Sequence, residues 1–139
     1  MLALLVAALV VTASSPMPTS LPQMAVITTS PSTNTAGYRI AIAPDGGADV
    51  TVQTAEVIHT RVDPDLAKRL YADLARAGAL DALPTGHCMK STSFGTSTWI
   101  SYHGANSPDV QCAQNEVERA LELDARAIAG AVRTAQGPK

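Results

Sequence analysis

The sequence predicts a small two-layer α+β domain: an antiparallel sheet with two helices on one face and one disulfide. Three observations carry this expectation. Two short runs of alternating apolar residues flank a Pro-Asp-Gly-Gly turn. Two longer segments repeat their apolar residues at helical spacing behind capping residues. Between them, Cys88 and Cys112 bracket a Ser- and Thr-rich segment that holds the only Phe and the only Trp of the chain.

The chain has 139 residues, room for one domain and a leader. Residues 2–11, LALLVAALVV, are wholly apolar. A membrane-spanning helix needs about 20 such residues, so ten suit the core of a signal peptide. Val11-Thr12-Ala13 supplies small residues for a cut after Ala13, which makes residues 1–13 the expected signal peptide. No Lys or Arg precedes the run. After cleavage no stable membrane insertion is expected. Residues 14–36 are rich in Pro, Ser and Thr, a composition that buries too little apolar surface to offset chain entropy, and they read as a linker. Met24–Thr29 is the exception, with Ala25-Val26-Ile27 suited to an added edge strand.

Tyr38–Ala43 alternates, with Tyr38, Ile40 and Ile42 on one side. Pro44-Asp45-Gly46-Gly47 then turns the chain, because Pro presets φ and Gly accepts positive φ. Val50 and Val52 resume the alternation, which predicts a hairpin. The apolar phase shifts at Ala55 and Val57, and either a bulge near Gln53-Thr54 or two separate strands explains the shift. Asp63-Pro64-Asp65 starts a helix: a cap, a proline at the first position, and an acid at the positive end of the dipole. Leu66, Leu70 and Leu74 mark its buried stripe, and Gly78 ends it. Leu80 and Leu83 are expected to return to the core. Asn115 and Glu118 form a capping box for a second helix. Its buried face is Val117, Leu121, Ala125, Ile128 and Val132, and its wet face includes Glu116, Glu118, Arg119, Glu122 and Arg126. The single domain is expected over residues 37–134, with a frayed tail at 135–139.

Charge is near balance at a formal −2, and the basic residues form no cluster. That removes the electrostatic basis for binding nucleic acid. Arg outnumbers Lys and Ala is abundant, which suits a chain from a GC-rich bacterial genome. Two cysteines and no third, in a chain bearing an export signal, read as one disulfide, Cys88–Cys112, in a periplasmic or extracellular protein. His59, His87 and His103 match no metal-binding spacing, so neither metal nor cofactor is expected.

The candidate site is the disulfide-closed segment. A strand over Thr96–His103 places Ser97, Trp99, Ser101 and His103 on one face, and Thr96, Thr98, Ile100 and Tyr102 on the other. If Ile100 and Tyr102 face the helices, Trp99 stands exposed among hydroxyls, which suits a binding anchor. Lys90, Ser93 and Phe94 lie in the loop before the strand, and His103 and Asp109 at and after its end. These six residues define the expected binding surface, for an unknown protein or small-molecule ligand. Two other functions are compatible with these residues. A serine-type hydrolase would use Ser93 or Ser97 with His103 as base and Asp109 as orienter. The nucleophile-elbow motif is absent, however, and Ser97 and His103 lie about 20 Å apart on an extended strand. The third reading is a structural accessory domain of the envelope.

Overall fold

The computed structural model describes residues 23–53 and 55–136. The leader expected at residues 1–13 and the first part of the expected linker lie outside these residues. The elements in order are β1 (Ala25–Thr29), β2 (Tyr38–Ile42), β3 (Gly47–Val52), β4 (Ile58–Arg61), α1 (Pro64–Ala77), β5 (Thr98–Tyr102), β6 (Ala105–Asn106) and α2 (Glu116–Ala135). The strands form one antiparallel sheet in the order β4-β3-β2-β1-β5-β6. Both helices contribute to the core on one face of it, which is the two-layer α+β arrangement expected.

The expected hairpin forms, with Ile40 opposite Val50 and Ile42 opposite Ala48. Gly46 occupies the turn at φ +92, and a Cβ there would stand 2.5 Å from Val62 O, so only glycine fits. The shift of apolar phase after Val52 is a break between two strands. Gln53 takes φ 54 and β4 begins at Ile58.

The linker expectation needs correction at β1. Ala25, Ile27 and Thr29 are buried, and β1 pairs with β2 on one side and β5 on the other. The sheet therefore starts inside the presumed linker, and β1 is an interior strand rather than an edge strand. Five residues of strand-forming sequence are diluted by the prolines and hydroxyls on either side. Only partners far along the chain show that both edges of this segment are used.

The strand expected over Thr96–His103 is shorter at both ends. Lys90 Nζ takes the carbonyl of Thr96 at 2.6 Å, and the strand starts two residues later. His103 and Gly104 adopt φ 51 and φ 76, the two left-handed positions of a tight hairpin turn between β5 and β6. His103 is thus a turn residue, not a strand residue.

The helices follow their local signals. Asp63 accepts from Asp65 N, Pro64 opens α1, and Gly78 closes it at φ 68. Asn115 accepts from Glu118 N at the start of α2. Glu118 departs from its expected place on the wet face and is fully buried. Its carboxylate accepts from Gln114 N at 2.7 Å, so the chain entering the helix folds over it. Helix α2 also runs one residue past the expected domain end, to Ala135.

Ile27, Ile40, Ile42 and Ile100 from the sheet meet Leu70, Leu121 and Ile128 from the helices in the core. Tyr71 fastens α1 to the sheet. Its hydroxyl donates to Ile42 O at 2.8 Å and accepts from Ala25 N at 3.0 Å. Burial pushes its pKa up, and that burial keeps the phenol as a neutral donor.

An acid sits between the helices. Asp124 on α2 is 2% exposed; its Oδ1 accepts from Arg69 Nε of α1 at 2.6 Å, while Oδ2 has no partner among the described residues. Burial raises its pKa to about 6; Arg69 opposes the rise and Asp73 adds to it. The folded state therefore holds this proton to higher pH than the unfolded chain, whose value is near 3.8. Stability from this group is present at low pH and is lost as pH rises from about 4 through 6. We expect Asp124→Asn to gain on the parent by on the order of 2–3 kcal/mol between pH 4 and pH 7.5. Urea unfolding at both pH values measures this, and a pH-independent difference would refute it.

Candidate functional site

The disulfide joins Cys88 to Cys112 with Cα atoms 5.4 Å apart. It closes the segment that contains β5 and β6. Gly86 makes the approach to it possible, since a Cβ there would lie 2.3 Å from Cys112 O.

Inside the loop the polar side chains turn inward. Lys90 Nζ donates to Thr96 O, to Ser97 Oγ at 2.9 Å and to Asp109 Oδ2. Asp109 Oδ1 accepts from the backbone N–H of Thr98 at 3.0 Å and of Gln111 at 3.1 Å. Burial pushes the Asp109 carboxyl up, but the bonds from Lys90, Thr98, Ser97 and Gln111 outweigh it and its pKa is lowered. Ser107 Oγ accepts from Ile100 N at 2.9 Å, and Ser107 N returns a bond to Ile100 O at 2.9 Å. Asp109, Ser107 and β6 thus satisfy the outer edge of β5. A strand edge left bare would pair with other chains.

Three large apolar side chains of the same segment turn outward. Met89 is fully exposed, Phe94 is 65% exposed and Trp99 is 36% exposed. Thr98 and Ile100 are buried beneath the helices, so alternation sends Trp99 to the open face of the sheet. There the register aligns Trp99 with Thr28, Arg39 and Thr51 in one row across four strands. A shallow depression of about 470 Å³ lies beside Trp99, lined by Thr28, Ser101, Asn106 and Ser107.

The six sequence-predicted site residues do not form one cluster. Lys90 and Asp109 meet directly, as a structural clamp. Ser93 lends its carbonyl to Asn34 N and Ser32 Oγ, which ties its loop to the β1–β2 connection. Phe94 and Trp99 are both exposed. His103 stands at the far end of β5, its ring against Tyr102 at 3.9 Å between centroids.

The hydrolase constellation is not assembled. Ser97 precedes β5 and His103 follows it, and Asp109 engages Lys90 rather than a histidine. His59 pairs with Asp49 at the opposite side of the sheet. Among the described residues, no group of three or more His, Cys, Asp or Glu side chains is placed to hold a metal.

Sequence reasoning passed over Met89, Ser107, Gln111, Thr28 and Arg39. Thr28 and Arg39 join Trp99 only through the register of β1, which composition had assigned to a linker. Ser107 and Gln111 carried no motif, and their roles come from facing the edge of β5. Met89 did carry a signal: a large apolar residue next to a disulfide cysteine, in a loop with little else to pack on.

No family model matches the chain, and no curated protein is similar to it.

The disulfide bounds a 25-residue loop, counting both cysteines, from Cys88 to Cys112. In the chain-entropy view it stabilises the fold by roughly 3 kcal/mol. We expect reduction to lower the melting temperature by on the order of 15 °C for a domain of about 100 residues. Amide exchange should rise across 88–97 before it rises in α1. Unchanged melting after confirmed reduction would mean that packing alone orders the segment.

Proposed function

We propose that this is a small exported binding domain, periplasmic or extracellular, whose partner docks on the disulfide-closed segment. The observation that carries the reading is the inversion of that segment. Lys90, Ser97, Ser107 and Asp109 are spent on internal bonds, while Met89, Phe94 and Trp99 are displayed. Holding large apolar groups in water on a pinned scaffold is unfavourable unless a partner covers them. Exposed aromatic residues on rigid loops are also the usual anchors of interfaces, because little entropy is lost on docking. These features favour a protein partner over a small molecule, since the three side chains are spread along a loop and a strand rather than gathered in a deep cavity.

One further feature supports export: a disulfide is consistent with an oxidising compartment. The export half of the reading predicts a mature amino terminus near Ser14. Mass spectrometry of protein from the native host checks this, and an intact Met1 in a cytoplasmic fraction would overturn it.

The binding half is tested by photo-crosslinking. A photoreactive residue replaces Met89, Phe94 or Trp99 in turn, with Lys68 on the exposed side of α1 as control. One partner should crosslink at the three loop positions and not at the control. The purified partner should then bind Trp99→Ala at least tenfold more weakly, while that variant keeps its stability to within about 1 kcal/mol, as expected for a half-exposed site. Equal crosslinking at Lys68, or unchanged affinity for Trp99→Ala, would remove the proposal.

A further inference from the structure

A second site lies on the other side of the sheet, beneath the C-terminal half of α2. Two cavities meet there and share Tyr38, Ala129 and Arg133 as walls. The larger has a volume of about 230 Å³. Its floor is Ile40, Val50 and Val132, each no more than 3% exposed, and its mouth carries the exposed Arg133 and Gln136. The smaller, of about 170 Å³, continues toward Thr98, Gln111 and Arg126. The crevice exists because α2 turns Ala125 and Ala129 to the sheet at this point, where a larger side chain would close it.

The chemistry of the walls restricts the occupant. An apolar floor that opens to water favours an apolar chain. The charges at the mouth decide the head group. Arg126 is already paired with Glu122. Arg133 lines both cavities and pairs with no carboxylate among the described residues. A guanidinium is a fork that takes a carboxylate through two parallel bonds. A cationic head group would be repelled and a neutral one would leave the fork unused. The apolar cavity is smaller than the roughly 300 Å³ at which sites for drug-sized ligands begin, so the chain must be short.

We infer that this crevice binds a short-chain carboxylate amphiphile, with its tail over Ile40, Val50 and Val132 and its head group at Arg133. The site is separate from the Trp99 face and stands whether or not a partner docks there.

The test uses the oxidised chain labelled with ¹⁵N and three probes of equal chain length: sodium octanoate, 1-octanol and octyltrimethylammonium, each below its aggregation concentration. Octanoate should give saturable amide shifts at Val50–Val52 and Ala129–Arg133. Octanol should bind about fivefold more weakly, the scale of one exposed ion pair, and the ammonium more weakly still. Arg133→Gln, an exposed substitution, should bring octanoate down to the level of octanol. Ala129→Met should fill the crevice and abolish binding of both. If Ala129→Met fails to fold, Arg133→Gln decides the matter alone. No saturable shift with octanoate overturns the proposal. So does equal affinity for octanoate and octanol, unchanged octanoate affinity in Arg133→Gln, or a shift pattern centred on Trp99.

Discussion

Strand β1 is bonded along both edges, to β2 on one side and to β5 on the other. Ile27 sits between Ile40 and Ile100 in consecutive strands, and all three are fully or almost fully buried. This pairing joins the hairpin half of the sheet to the disulfide half, with about 70 residues of chain between Ile27 and its partner in β5. Without β1 the two halves would lose their strand pairing, and the buried edge groups of β2 and β5 would lack partners. Tyr71 and the buried Thr29–Thr98 hydroxyl pair reinforce the same junction, from the helix side and at the end of the strand.

The candidate site depends on that junction. Trp99 is presented on the open face because Ile100 is held beneath the helices, and Ile100 is held there by its register against Ile27. A slip of one residue would bury Trp99 and expose Ile100. The far edge of β5 is then closed by side chains rather than by a full strand. The Asp109 carboxylate replaces a neighbouring carbonyl at Thr98, and the Ser107 hydroxyl does so at Ile100. Lys90 balances the Asp109 charge and draws in the loop that carries Met89 and Phe94. Ser97 and Asp109, which the hydrolase reading would have used, instead join Lys90 in shaping the loop. The apolar residues beside them are left for contact.

Much of the fold was legible because its signals are local. The Asp63 and Asn115 caps, the glycine stop at Gly78 and the turn at Gly46 each act within a few residues, and each appears where its residues predict. The site was legible in part. Two cysteines implied the loop, and alternation with Ile100 inward implied an outward Trp99. The clamp was not legible, because Lys90 and Asp109 are 19 positions apart with no spacing rule to join them. His103 shows the opposite failure: strand alternation assigned it to a face, but the tight turn with Gly104 removed it from the strand.

By itself, the sequence determined the class of fold, both helices and the hairpin, because capping, turn chemistry and periodicity are short-range, and its two cysteines determined the covalent link. The tertiary structure alone decided that Ala25–Thr29 is the interior strand, since an alternating five-residue run is compatible with any position in a sheet or with none. It also decided that Glu118 and Asp124 are buried. Helical periodicity places an acid on a face, but whether that face meets water depends on what the rest of the chain lays against it. For Glu118 that is the incoming turn at Gln114, and for Asp124 it is Arg69 of the other helix.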